Sequence, residues 1–436
     1  MTSNQHNMIR AAMLLRDHWL GTAFMLFIAI GLVGATAFRI QKNYSQPSTT
    51  FDWENRGYSD FHNGTYFPTR AFLDGKSPYS ADVALEYQMA RQTPPYSPIV
   101  FLLHSPLAFF PLEVARILYF VFSIATMALL AWFCLVMCGQ KFRWFDWLGF
   151  LNLILLSRPG HITLFTGYFT AEIIVGCLLA IHFGKSRPKQ AGFGILLASI
   201  KPNFVLPLLI LLSCRKNFAA VGWGVALCIL AGVAGLGWLS YHNGLEQIIY
   251  DVGEGQDALH LDETEMPVNT WTRVDLVGMS AKILKSVPDD LIYLTFMTVF
   301  VGLIGFLLLN NDQKESGTGA AGISGMIGTI AILLSIYHHS YDCLLVVVPM
   351  SSLLFYSRAT LPFTPRLLGI STGILVAVPM FNYLSTKSAM ETIGLQPLSF
   401  AWQITTLING ICLLSAMTLL IIELLRIKRV NTNQQT

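Results

Sequence analysis

The sequence predicts an all-α integral membrane protein that crosses the bilayer many times. Two observations carry this prediction. The 436 residues are 53% hydrophobic and only 12% charged, whereas a soluble domain carries about a quarter charged residues. Too little charge is present to cover a soluble surface of this length. In addition, apolar runs long enough to cross a bilayer recur from end to end, for example at 19–38, 114–138, 291–309 and 399–425. Inside lipid the backbone must satisfy its own hydrogen bonds, which leaves helices or a closed barrel. These runs are too long and too continuously apolar for barrel strands.

In order along the chain, the first span falls near 18–38. It lacks a small-residue cleavage site before the polar sequence that follows, so it is expected to remain as an anchor. A polar stretch covers 39–97. The segment 98–111 is short and bounded by prolines, which suits an interfacial or re-entrant position. Further spans are predicted near 113–138, 145–157, 163–183, 188–200, 203–214, 218–239, 290–310, 318–337, 341–356, 366–384 and 399–425, about twelve membrane segments in all. The pair 188–200 and 203–214 reads as a bent hairpin or as one helix broken at Pro202. No internal repeat and no separate soluble domain is visible: residues 1–430 form one membrane domain, and 431–436 a short polar tail.

Basic residues at alternate short connections set the orientation. Arg10 and Arg16, Lys141 and Arg143, Lys185, Arg187 and Lys189, Arg215 and Lys216, and Arg426, Lys428 and Arg429 all fall on one side, read as the cytoplasm. The loops 39–97 and 240–289 then face outward. The net charge of +3 without a long basic block gives no footprint for nucleic acid. The seven cysteines, at 134, 138, 177, 214, 228, 343 and 412, lie in or beside apolar segments and read as packing residues, not as a disulfide framework or metal site.

The distinctive polar residues gather on the outer side. The first loop reads Tyr58-Ser-Asp60-Phe-His62-Asn-Gly-Thr-Tyr66, then Leu73-Asp-Gly75-Lys-Ser-Pro78-Tyr79, then Pro94-Pro-Tyr96-Ser-Pro98. Turn residues and interfacial tyrosines account for much of this pattern. Asp52, Glu54, Asp60 and Asp74 are all candidate acids, and composition does not choose among them. Arg158-Pro-Gly-His161 lies between two apolar runs, and Lys201-Pro-Asn203 interrupts another. A cation at that depth marks a functional site unless it snorkels to the interface. Glu172 is a second intramembrane charge, suited to pairing with a cation or lining a polar cavity. Tyr337-His338-His339-Ser-Tyr341-Asp342 forms a polar junction where Asp342 can hold one imidazole in a fixed tautomer. Adjacent histidines point to different sides of a helix, so they make a poor metal pair. The acidic cluster Asp257, Asp262, Glu263 and Glu265 lacks the spacing of a calcium loop and reads as solvated.

With these residues in view, the sequence resembles the membrane glycosyltransferases of family 87, within the GT-C superfamily. Known members include polyprenyl-phosphate-mannose-dependent mannosyltransferases. The resemblance runs roughly from Asp60 to Pro349 and is strongest at Asp60-Phe61, Tyr66, Gly75-x-x-Pro78-Tyr79, Tyr96-x-Pro98 and Pro106-Leu107. Lys201-Pro202 in an apolar hairpin and a histidine before an outer-face helix, His338 or His339, add two further features. Two departures stand out: Arg158-Pro-Gly-His161 or Thr166-Gly167-Tyr168 occupies a position where relatives often carry Gly-Gln, and Pro95-Tyr96-Ser97-Pro98 replaces Tyr-Pro-Pro.

The resemblance implies a GT-C-type bundle with a large first outer loop. It also implies inverting transfer of a hexose, foremost mannose, from a polyprenyl-phosphate donor to a lipid or glycan acceptor. Asp60 would be the general base. Lys201, Arg158, His339 and His338 would serve the donor phosphate, with Tyr66 and Tyr79 lining the substrate site. No metal and no cofactor is implied. The expected location is the plasma (inner) membrane with the site facing outward. A secondary transporter is the main rival, given the break at Pro202 and the intramembrane Glu172. The missing internal repeat counts against it. A non-catalytic membrane scaffold is the third reading.

Overall fold

The computed structural model describes residues 19–44, 58–87, 89, 96–261, 266–287, 289–309, 319–356 and 365–433. Asp52, Glu54, Asp262, Glu263 and Glu265 lie outside these. Every extended element among the described residues is a helix, and the single β-type contact is an isolated bridge between Arg273 and His339.

Helix α1 (Trp19–Tyr44) has 26 residues, or about 39 Å at 1.5 Å per residue, enough to cross a core of about 30 Å. Only 17% of its most apolar window is buried inside the protein. Phe24, Phe27 and Phe38 are exposed along it, a surface that is stable only against lipid. From Tyr58 the first long loop runs through a π-helical turn over Phe61–Tyr66, then α2 (Phe67–Leu73) and α3 (Ala81–Glu86). Helix α4 (Ile99–Ala108) has 10 residues, about 15 Å by the same rise. That length covers about half of a hydrocarbon core of about 30 Å. Helix α5 (Leu112–Val136) is a full span.

The next stretch departs from the sequence reading. Helix α6 (Trp144–Leu156) is followed at once by α7 (Arg158–Thr166), and the two are bent by 73°. Ser157 makes the break: its hydroxyl accepts from the Gly160 N–H as an N-cap, and Pro159 stands in the first turn of α7. Arg158-Pro-Gly-His161 therefore starts a helix instead of joining two spans. Gly167, in left-handed backbone at φ +71°, ends α7. The apolar run 163–183 is thus split, with α8 (Thr170–Phe183) as its second part. Helices α9 (Pro188–Ala198) and α10 (Pro202–Cys214) are separate, broken at residues 199–201. Helices α8 and α9 approach closely because glycines face each other: a Cβ at Gly176 would stand 2.6 Å from the Gly194 carbonyl oxygen.

The remaining elements are α11 (Phe218–Asn243), α12 (Leu245–Leu261), α13 (Leu276–Leu284), α14 (Asp290–Leu309), α15 (Ile323–Ser335), a 3₁₀ turn at Asp342–Val346 leading into α16 (Val347–Phe355), α17 (Arg366–Phe381), α18 (Lys387–Thr392) and α19 (Phe400–Asn433). The last carries helix through the first residues of the polar tail. All seven cysteines are free thiols.

Among the described residues, six helices are long and apolar enough to cross a membrane, or seven if the bent α6–α7 pair counts as one span. The expectation of about twelve segments is not confirmed by this count. The other apolar helices, α4, α8, α10, α15 and the Asp342–Phe355 stretch, run 10–17 residues, short of the roughly 20 that a span needs. Every residue of α15 is buried, so its apolar character comes from packing inside protein. Hydropathy does not distinguish burial in protein from burial in lipid.

Three hydrogen bonds join the first loop to the helices around it. The Trp238 indole N–H donates to the Phe72 carbonyl at 2.7 Å, and Asn243 donates to the Gly75 carbonyl at 3.0 Å. These bonds tie the first loop to the end of α11, where the second long loop begins. The Ser97 N–H donates to the Ile200 carbonyl at 3.2 Å, bringing the α9–α10 break to the same place.

Candidate active site

Lys201 precedes α10 in extended backbone and is 6% exposed, so it does not snorkel to water. Its Nζ lies 3.8 Å from Asp342 Oδ1 and sits 4.6 Å from the Tyr168 ring centre and 5.1 Å from that of Tyr341. Two aromatic faces and a carboxylate thus hold the ammonium at a depth where an isolated cation would be costly. The other Asp342 oxygen accepts the His339 backbone N–H at 3.0 Å and faces His338 Nδ1 at 3.3 Å. Asp342 does orient an imidazole, that of His338, whose ring packs edge-on to Phe204.

His339 points elsewhere. Its Nδ1 is 2.6 Å from the Thr272 hydroxyl, and its ring stacks on Tyr341 with centroids 5.1 Å apart. Burial, aided by the nearby Lys201 and Arg273 and opposed by Asp342, pushes its pKa down to about 3. At neutral pH His339 is an uncharged hydrogen-bonding group.

The second long loop supplies a clamp that the sequence reading missed. Residues 272–275 run against the 337–339 turn: Arg273 bridges His339, and the Val274 N–H donates to the His338 carbonyl at 2.9 Å. Asp275 is fully buried. It accepts two bonds from Arg273, at 2.8 and 2.7 Å, caps α13 through the Val277 and Gly278 N–H groups, and accepts the His338 N–H at 3.2 Å. Burial alone would raise its pKa, but the Arg273 guanidinium and these donors outweigh burial and hold it below the usual carboxylate range. Arg273 also bonds the Tyr293 hydroxyl. The available signal was Asp275 ahead of an apolar helical run, a helix-start pattern. Nothing local indicated that the segment would fold onto the histidine turn.

Asp60 stands at the N-terminus of the π-helical turn, half-buried. Such turns recur at functional sites. Two residues before it, Tyr58 is buried with φ +72°, a strained conformation for a bulky side chain. Tyr337, just ahead of His338, is likewise strained at φ +40°. Both segments are therefore held in place by their surroundings. The Tyr58 N–H donates to the Phe165 carbonyl at 3.0 Å, and Phe61 stacks on Tyr119 at 4.7 Å. Asp60 is close enough to Tyr119 and Tyr341 to act on both electrostatically. Gly64 brings the loop against Tyr96, whose hydroxyl accepts from the Tyr168 hydroxyl at 2.9 Å. A continuous aromatic path thus links the Asp60 turn to the ring beneath Lys201.

Gly167 is what permits this approach. A Cβ there would meet Phe61 Cβ at 2.7 Å and the Tyr58 ring at 2.9 Å, in a backbone region that disfavours any side chain. Gly167→Ala is expected to displace the Asp60 turn, destabilising the protein by about 1–3 kcal/mol and lowering transfer further than the stability loss explains. Thermal melting and turnover of the same preparation check this. Wild-type values in both would show that the contact is unimportant.

The other predicted residues make contacts of their own. Tyr66 donates to the Phe110 carbonyl at 2.8 Å, and Tyr79 to the Tyr96 carbonyl at 2.8 Å. Both hydroxyls brace the loop. Arg158 is buried and donates to the hydroxyl and carbonyl of Ser385 and to the carbonyl of Asn382. It ties α7 to the turn after α17, and none of these bonds brings it to Lys201. Glu172 accepts from the Tyr119 hydroxyl at 2.8 Å and lies 3.2 Å from His104 Nε2. This places a buried carboxylate next to Tyr119. Among the described residues no three His, Cys, Asp or Glu side chains converge as metal ligands do.

Comparison with known proteins adds one finding. The model of glycosyltransferase family 87 matches residues 95–335, more than half of the chain. That range holds Tyr96, Tyr168, Glu172, Lys201 and the Arg273–Asp275 clamp; Asp60 and the His338–Asp342 turn flank it. No curated protein and no solved structure matches.

Proposed function

Since the chain belongs to glycosyltransferase family 87, we propose that this membrane glycosyltransferase moves a hexose from a polyprenyl-phosphate donor to an acceptor hydroxyl. Mannose is the sugar its resemblance favours. The observation that carries this reading is the meeting of the Asp60 turn with the Lys201–Asp342–His338 cluster at one end of the bundle. It joins a carboxylate and a buried cation through Tyr96, Tyr168 and Tyr341.

An alcohol is a poor nucleophile until its proton is removed. Asp60 takes that proton as the acceptor oxygen bonds to the anomeric carbon. The bond from that carbon to the phosphate oxygen breaks in the same displacement, and its electron pair leaves with the lipid phosphate. A single displacement inverts the centre. The departing phosphate gathers negative charge and needs fixed donors more than an acid. Lys201 supplies the charge. Asp342, held by the His338–His339 turn, fixes where the ammonium stands. Neutral His339 offers a hydrogen bond, and Arg158, Tyr66 and Tyr79 hold the frame. The reading puts the site on the outer face of the plasma (inner) membrane, where lipid donor and lipid or glycan acceptor both arrive through the bilayer.

The test supplies labelled polyprenyl-phosphate-mannose and a total lipid extract to membranes containing the protein. Label entering a new product is the expected result; no transfer from this donor or from a panel of other polyprenyl-phosphate sugars would overturn the proposal. Lys201→Ala is expected to weaken donor binding about tenfold to a hundredfold, the value of hydrogen bonds to a charged group. Lys201→Arg, which keeps the ion pair with Asp342, should bind donor better than Lys201→Ala. Unchanged donor affinity in Lys201→Ala would confine Lys201 to a structural role.

A further inference from the structure

The opposite end of the bundle holds a cavity that this reaction does not use. Helix α8 leaves the active site at Thr170 and ends at Phe183, about 20 Å away at 1.5 Å per residue. There a cavity of about 450 Å³ opens between the end of α5, the end of α8 and the start of α9, walled by Trp132, Phe133, Leu179, Phe183 and Phe193. Trp132 and Phe193 remain 40% and 47% exposed. In a membrane protein, exposed apolar side chains on such helices face acyl chains, so the cavity opens to lipid.

Its charge is one-sided. Arg187 and Lys189 contribute to the lining, and no Asp or Glu does. Both cations are exposed. Arg187 lies over the Phe183 ring and Lys189 over the Trp223 ring, and among the described residues neither pairs with a carboxylate. Lys185 is two residues away, and the basic connections at 141–143 and 215–216 belong to the same predicted side. Apolar walls with an unneutralised cationic rim at the membrane surface match a molecule with acyl chains and a negative head.

We propose that this cavity binds an anionic phospholipid of the leaflet opposite the active site, with its headgroup on Arg187 and Lys189 and an acyl chain between α5, α8 and α9. The walls argue for a lipid over a soluble anion, since a free phosphate gains nothing from Trp132 or Phe193. A lipid there would brace the ends of three helices whose other ends frame the site.

The test uses the full-length protein in detergent, with native mass spectrometry reading bound lipid. Phosphatidylglycerol and phosphatidylcholine with identical acyl chains are titrated against wild type and Arg187→Gln/Lys189→Gln. Wild type should retain phosphatidylglycerol preferentially. The double variant should lose about 30-fold in phosphatidylglycerol affinity, from two surface charges, with phosphatidylcholine binding unchanged. Equal retention of the two lipids by wild type, or an undiminished preference in the variant, would overturn the proposal. So would displacement of phosphatidylglycerol by millimolar inorganic phosphate, which would mark a soluble-anion site. Polyprenyl-phosphate-sugar transfer by the same preparations reports the active site separately, so either proposal can fail alone.

Discussion

Asp60→Asn is expected to abolish sugar transfer, with a loss of about 10²- to 10⁴-fold, the range a positioned general base contributes. Asparagine keeps the shape and the hydrogen-bonding reach of aspartate but cannot take a proton. Asp60 makes no side-chain cap bond to its own turn. The turn is fixed by the Tyr58 backbone bond to Phe165 and by Phe61 stacked on Tyr119, so the substitution should leave fold and expression intact. Binding of labelled polyprenyl-phosphate-mannose should be retained, because Lys201 and its aromatic faces are untouched. The decisive comparison is turnover against donor affinity in the same membranes. Turnover near wild type would remove Asp60 from the chemistry and direct attention to Glu172, which shares the Tyr119 neighbourhood.

Asp275→Ala is expected to give the largest loss of stability, about 3–5 kcal/mol, as when one partner of a buried ion pair is removed. The substitution leaves Arg273 buried without its two bonds and leaves the N–H groups of Val277, Gly278 and His338 without an acceptor. Asp275→Asn should fall between the two, since asparagine caps helices well but brings no charge. The expected order of thermal midpoints is wild type, then Asn, then Ala. Activity should follow the same order, because the His338–His339 turn loses its anchor. Since the carboxyl is held below its ordinary range, its contribution is present above the unfolded carboxylate pKa. It is lost as pH falls through the lower folded value, so the gap between wild type and Asp275→Asn should close in acid. An alanine variant with the wild-type midpoint would show that the clamp carries no weight.

Several parts of the site were legible in the chain. A cation interrupting an apolar run marked Lys201, and the structure buries it 3.8 Å from Asp342. The spacing of His338 and Asp342 suggested an oriented imidazole, and the two side chains do meet. Glu172, suited by its position to pairing with a cation or lining a polar cavity, lies 3.2 Å from His104 Nε2. The clamp was not legible, because Arg273 and Asp275 sit in a long polar loop whose composition reads as solvated. Arg158 carried the same signal as Lys201, and only tertiary contacts show that its donors go to Ser385 and Asn382.

The sequence by itself determined the class: apolar runs with little charge leave helices in a membrane as the only stable solution, and the order of motifs placed the chain in its family. Tertiary structure decided the rest. It set where the apolar helices pack: every residue of α15 is buried, so its apolar character also serves the protein interior, a demand that hydropathy cannot separate from solvation by lipid. It also decided which of several equivalent polar residues share a site. Lys201 and Asp342 stand 141 positions apart in the chain yet 3.8 Å apart in space. That proximity is set by the packing of whole helices and by closures such as the approach of Phe61 to Gly167, which no local pattern records.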